Sequence, residues 1–253
     1  MEDENIYNDI QKIFEDLPDN FNILEEQIDL EIQMQYFEFS KKVREDGAAI
    51  DYLECAGELF VPETAIERKK EILIGLAGTD DVKAYRALEK FLEQADSALR
   101  SWAVLAVQEN RMLIQTSLLD EQQFFISTGL GGKGKKLRYY VVFINRNLNK
   151  MLTKTQQKLV KDELIFGLKP EDGEFETIDF SEGFSASQVL LPVTADIRQV
   201  FGNVVEECNH YGDFLEEDMI ITNVKVLTRN EILDIINKQN DFELPDGMEE
   251  EDD

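Results

Sequence analysis

The chain has 253 residues, 53 Asp and Glu against 26 Lys and Arg, a single histidine, two cysteines and a formal net charge of -27. That length supports two ordinary domains with real cores, and Cys55 and Cys208 lie too far apart for a zinc motif or a disulfide framework, which points to a reducing compartment. The acidic start Met1-Glu-Asp-Glu-Asn5 lacks the pattern of a secretory signal, no apolar run approaches the roughly 20 residues that span a bilayer, and the acid excess disfavours indiscriminate contact with nucleic acid or anionic membrane, so a cytoplasmic protein is expected.

Residues 5–45 read as two helices. Ile6, Ile10, Ile13 and Phe14 recur at helical spacing up to the turn signal Leu17-Pro-Asp-Asn20. A second pattern through Ile23, Leu24, Ile28, Ile32, Tyr36 and Phe39 runs to Lys41, Lys42 and Arg44, bases that suit the negative end of a helix dipole, and Gly47 closes it. Shorter helices follow at residues 51–59, closed by Val61-Pro62, and at 63–76, closed by Gly78. Thr79-Asp-Asp81 is a good cap for the next, through Val82, Leu88 and Leu92. Another opens at Asp96, and Thr64 to Ser97 is close to the period of a two-helix repeat.

Asp96, Leu99, Arg100, Ala103, Leu105 and Ala106 resemble the second helix of a HEAT-type repeat: an Asp cap, an apolar-Arg pair, then small and apolar residues. The resemblance covers about residues 48–120. It implies a short stack of helix pairs, an architecture used as a binding scaffold, and implies no activity.

At Phe124 the texture turns extended. Residues 124–128, the segment Gly129-Leu-Gly-Gly-Lys-Gly134 and residues 137–144 read as strand, loop and strand, a hairpin whose loop is too long for a two-residue turn. Thr153-Lys-Thr-Gln156 is a capping box opening a helix that stops near Gly167-Leu-Lys-Pro170. Strands are expected at 175–180, 188–193 and 219–227, helices at 194–211 and 229–237, and an acidic disordered tail at the end. From Leu137 the order is strand, helix, strand, strand, helix, strand, which matches the split βαβ plan of ferredoxin-like folds. The expected fold class is therefore α+β: an N-terminal helical, HEAT-like domain at 1–120, a ferredoxin-like sandwich with an antiparallel sheet and an N-terminal hairpin at 122–238, and the tail at 239–253.

Residues 122–161 hold nine bases and no acid, against the trend of the whole chain. Within them, Lys133, Lys135, Lys136, Arg138, Lys150, Lys154, Lys158 and Lys161 are candidate anion-binding residues, with Gly129, Gly131, Gly132 and Gly134 as loop glycines that let backbone N–H groups approach a ligand. Lys154, Lys158 and Lys161 share one sector of their helix and could join Lys150 and the loop lysines in one basic face. The glycine segment is not a nucleotide P-loop, because Lys136 runs into a strand with no Ser or Thr after the Lys; a mobile loop, or one closing over an anion, remains. RNA or a nucleotide stacking on Tyr139, Tyr140 or Phe143 fits such a face, although no RNP-type motif is visible. An acidic protein fits it too. So does the chain's own acid, from the helical half or the tail, which is at high effective concentration.

No catalytic set is visible. Cys208 and His210 stand two apart and do not face each other on a helix, and a helix-end role for His210 is more natural. Ser181, Ser185 and Ser187 lack the nucleophile elbow. Asp213, Glu216, Glu217 and Asp218 lack an EF-hand pattern. No metal or cofactor is assigned. The reading is a non-enzymatic interaction or adaptor protein with a protein partner. The alternative is a sensor or enzyme whose Gly-Lys loop closes on a phosphorylated or carboxylated metabolite, or an RNA-binding module; a concave pocket beneath the loop would mark the sensor. The oligomeric state is left open.

Overall fold

The computed structural model describes residues 21–45, 50–120 and 124–242. The helix expected at residues 5–17, Gly47 and the acidic tail beyond residue 242 lie outside these. The protein is α+β, with an antiparallel sheet.

The first described element is a strand where a helix was expected. β1 (Phe21–Ile23) pairs in parallel with β2 (Phe124–Ile126), Phe21 opposite Phe124. The apolar residues Ile23, Leu24 and Ile28 imitate helical spacing, yet they serve two different cores: Ile23 belongs to the sheet's core, Leu24 and Ile28 to the helical one. The helix α1 (Leu30–Glu45) starts only after Asp29, whose carboxylate accepts the Glu31 N–H.

Five helices then build the first core. α2 (Tyr52–Cys55) is capped by Asp51 and runs into a single 3-10 turn, Ala56–Phe60, which shortens the helix expected there. α3 (Ile66–Ala77) ends at Gly78, and α4 (Val82–Leu92) is capped by Asp81, as the spacing predicts. α5 (Arg100–Leu119) begins four residues later than expected. Asp96 caps the preceding turn, accepting from the Ala98 and Leu99 N–H groups. Leu73, Leu76, Leu88, Trp102 and Ala106 fill the interior. Two polar ties hold α5: Asn110 donates to the Leu76, Ala77 and Thr79 carbonyls at the end of α3, and Glu109 accepts from the buried Tyr36 hydroxyl at 2.6 Å while pairing with Arg44.

The second half is a sheet in the order β7–β4–β6–β5, every pair antiparallel. Its strands are β4 (Lys136–Asn145), β5 (Glu174–Phe180), β6 (Phe184–Pro192) and β7 (Leu215–Thr222); β4 also carries the two-residue strand β3 (Gly132–Lys133). With α6 (Lys154–Leu168) and α7 (Ile197–Asn209) as crossovers, this is the strand order of the ferredoxin-like plan. Thr153 and Gln156 form the expected capping box, whereas α7, capped by Asp196, starts three residues later than expected. β6 starts four residues earlier than its apolar run suggested because Ser185 and Ser187 are buried with their apolar neighbours. β7 likewise spans Leu215–Thr222, not 219–227.

Residues alternate between the two faces of β4. Leu137, Tyr139, Val141 and Phe143 pack under α6 and α7 with Val160, Leu164, Phe201 and Val204. The opposite face, which a two-layer sandwich would leave open, is covered: Tyr140, Val142, Ile144, Phe184 and Ala186 pack with Leu130 and with Ile232 and Ile236 of α8 (Arg229–Phe242). Among the described residues no helix is long and apolar enough to cross a membrane.

Candidate functional site

Most of the glycine segment is packed into the structure. Residues 129–132 are buried, and their small size is demanded by neighbouring backbone. A Cβ on Gly129 would lie 1.7 Å from the Val224 carbonyl oxygen, and one on Gly131, at φ +65°, would lie 2.6 Å from the Glu25 oxygen. The expected long-loop hairpin between residues 124–128 and β4 is also absent, since β2 pairs with β1. In its place is a tight one: β3 meets β4 with Lys133 opposite Lys136 and only Gly134 and Lys135 between. Gly134, at φ +59°, supplies the left-handed position that such a turn needs.

The bases of this region meet acids from within the sheet. Lys133 and Lys136 both bind Glu174, at 2.9 and 3.0 Å, and Lys136 reaches Asp172 at 3.1 Å. The two ammonium groups lower the Glu174 pKa, and Glu174 in turn raises that of Lys136. Arg138 grips Glu176 with two parallel bonds, of 2.6 and 2.9 Å, and donates a third to the Leu130 carbonyl. Arg146 pairs with Asp213 at 2.8 Å. Internal pairing is thus present, with its acids drawn chiefly from the β5 region rather than from the helical half.

The remaining candidates are scattered. Lys135 lies 5.3 Å from the centre of the Phe21 ring, and Lys161 the same distance from that of Phe175. Lys154 donates to the Gln157 side chain, and Lys158 is exposed. Lys150 sits beyond the far end of β4, where its carbonyl accepts from Asn145 and Gly183. Nine residues of strand, at roughly 3.3 Å each, separate that end from Lys136, so loop lysines and Lys150 do not form one face. Tyr139, Tyr140 and Phe143 are all buried and present no stacking surface.

The residues considered for catalysis each have another structural role or setting. Cys208 is buried on the inner face of α7, where desolvation, with smaller contributions from Glu163 and Glu207, pushes its thiol up to about 12. His210 is the C-cap of that helix, exposed, with Nδ1 3.6 Å from Glu207. Ser187 donates to the Thr177 carbonyl. Among the described residues no group of three His, Cys, Asp or Glu is arranged to hold a metal ion.

Sequence reasoning missed a surface of the opposite sign. Along the outer side of α6 and α7 run two adjoining hollows of about 370 and 660 Å³ that share Gln199, Asn203 and Glu206. Six carboxylates line them, Glu163, Glu171, Glu206, Glu207, Asp213 and Glu217, and no Lys or Arg does. Phe166, Pro170, Val200 and Val204 supply apolar wall between the charges, and Phe166 is 67% exposed. These acids come from α6, its following turn, α7, the connection after it and β7, so no single local run betrays them; the pair Glu206-Glu207 and the run from Asp213 to Asp218 are the hints in the sequence.

A second hollow, of about 320 Å³, lies where the helical half meets β1. Its wall includes Leu24, Glu25, Glu26, Val104, Arg111 and Gly134. Gly134 is the only part of the Gly-Lys hairpin to line it; none of the hairpin's lysines does.

No protein-family model matches the chain, and no curated protein matches its sequence. Among solved structures, a protein of Deinococcus radiodurans R1 assigned as a transposase aligns over 43% of this chain and 94% of its own, at 15% identity and a TM-score of 0.36.

Proposed function

We propose that the protein is a cytoplasmic protein-interaction module that docks a basic, amphipathic segment of another protein in the groove along α6 and α7. The observation that carries this reading is the groove's lining: six carboxylates and no Lys or Arg, with His210 its one basic side chain, interleaved with apolar wall. A helix or extended segment that places Lys or Arg beside apolar residues would satisfy both parts, the apolar contacts giving affinity and the charges orientation and on-rate. An anionic partner for Lys133, Lys136 and Arg138 would first have to displace Glu174 and Glu176. The HEAT-like helical half fits a scaffold role. Both cysteines are free thiols, in keeping with a reducing compartment.

The test is a fluorescence-anisotropy titration of the full chain with a labelled Lys/Leu amphipathic peptide, alongside a short RNA. The peptide should bind, weaken as salt rises through the screening range, and lose most of its affinity to the Glu206→Gln/Glu207→Gln double variant. RNA binding in preference to the peptide, or peptide binding that ignores the double variant, would overturn the reading.

A further inference from the structure

We propose that the hollow between β1 and α5 is a binding site for a small zwitterion of the α-amino acid class with an apolar side chain. The site is separate from the groove on α6 and α7, and neither reading depends on the other.

Three features converge on that class. The floor is apolar: Leu24 is fully buried, Val104 and Val107 are nearly so, and Met112 lies beside them. On the α5 wall stands Arg111. Its Nε and Nη2 donate to the Tyr85 hydroxyl at 3.3 and 2.9 Å, and its guanidinium lies 5.8 Å from that ring, so the group is fixed directly by a neutral hydroxyl, on which the Glu89 carboxylate also acts. Arg44, Arg68, Arg100, Arg138 and Arg146 each pair with a carboxylate; Arg111, like Arg229, has none within ion-pair distance among the described residues, and it is the one that lines a hollow. In so acidic a chain, an immobilised guanidinium with its Nη1 edge uncommitted at the mouth of a hollow is suited to a ligand carboxylate, which it can grip through parallel bonds.

The opposite wall has the complementary charge. Glu25, in the connection after β1, accepts one bond, from the Gly134 N–H at 3.3 Å, which leaves most of a carboxylate's acceptor capacity for an ammonium group. Its neighbour Glu26 is engaged by Arg100 at 3.6 Å. Acid on one wall and base on the other disfavour both a phosphate and a simple cation. A molecule with one charge of each sign and an apolar appendage satisfies the whole lining. The volume of about 320 Å³ is at the lower end of small-ligand pockets, which run from roughly 300 to 1,000 Å³. Because Glu25 touches the β3–β4 turn while Arg111 belongs to the helical half, a bound ligand would brace the two halves against each other.

The experiment uses the full chain, thermal melting and calorimetric titration with L-leucine, L-methionine and L-phenylalanine. Each probe has two truncated counterparts, one lacking the amine and one lacking the carboxylate. At least one amino acid should raise the melting temperature and bind, and its truncated counterparts should not. Arg111→Met and Glu25→Gln should each weaken binding by about tenfold or more, the scale of one charge-assisted contact. Arg111→Lys, which keeps the charge and loses the fork, should weaken it less. Glu206→Gln, in the other groove, should leave it unchanged. Both exchanged side chains are exposed, and circular dichroism of each variant verifies folding. No binding by any of the three at millimolar concentration, equal binding by a truncated counterpart, or binding indifferent to both exchanges in folded variants would overturn the proposal.

Discussion

Replacing Gly129 with alanine should destabilise the protein far more than the same exchange at Gly134, although both glycines lie in one short segment. An added Cβ at Gly129 would stand 1.7 Å from the Val224 oxygen, where ordinary contact begins at 3.4 Å, so the two backbones must part by as much again. That separation breaks the Leu130 N–H bond to the Asn223 carbonyl, now 3.0 Å, worth about 1 kcal/mol. It also draws Leu130, 2% exposed, out of its place beneath α8, a loss of about 2 kcal/mol. Gly134 has nothing within 4 Å of the same position, so there alanine meets only the left-handed backbone, at about 1 kcal/mol. For a chain of this length each kcal/mol shifts the melting temperature by about 2–4 °C. Gly129→Ala should therefore lower it by about 6–12 °C, against about 2–4 °C for Gly134→Ala, with urea unfolding giving the same ranking. If Gly129→Ala proves no more harmful than Gly134→Ala, the packed-segment account is wrong and the segment is mobile after all.

Two further outcomes follow from the thiols and from α8. Buried and held at about 12, Cys208 should resist a thiol reagent in the native protein while the half-buried Cys55 reacts; equal labelling of both before denaturation would contradict the burial described for α7. Glu231, which reciprocally caps α8 with Thr228, is held at about 2, first by Lys225 and then by the Thr228 N–H and hydroxyl. A carboxylate lowered on folding stabilises fully above its ordinary range and loses that contribution as pH falls toward the lowered value. Wild type should therefore exceed Glu231→Gln in stability at neutral pH, and the gap should close as melts are repeated down toward pH 2. A gap constant over that range would show that the charge has no part in the cap.

The sequence was most informative where the determining contacts are local. The Asp81 and Thr153 caps, the stop at Gly78 and the strand–helix order after Leu137 all rest on residues within a few positions of one another. It was least informative where a residue answers to a distant stretch of chain. Gly129 is small because of Val224, and Gly131 because of residues 24–26, partners that composition does not reveal. The acid-free stretch did indicate that its charges need counterparts, but the counterparts of Lys133, Lys136 and Arg138 lie some forty residues on, brought near by the β4–β6–β5 register. The three aromatic residues of β4 were ambiguous for a related reason. A strand clothed on both faces buries the side chains of both, and only the docking of α8 decides that β4 is so from Tyr139 on. The groove eluded sequence reading because its acids converge from five separate segments.

The parallel pairing of β1 with β2 gives the helical half an unusual topological status. Parallel neighbours need a crossover connection, and here the crossover is the entire run from α1 to α5, about a hundred residues. Phe21, Ile23 and Ile126 pack on the sheet's core and Phe125 on the helical one, so the ribbon touches both halves. The helical half thus behaves as a cassette inserted in a ribbon, entering and leaving at neighbouring points. Closing so long an unstructured loop would cost about 4 kcal/mol in chain entropy, more than two three-residue strands can offset. Helix assembly shortens the effective loop first, so the ribbon becomes a late seal in folding, made only after both halves have taken shape.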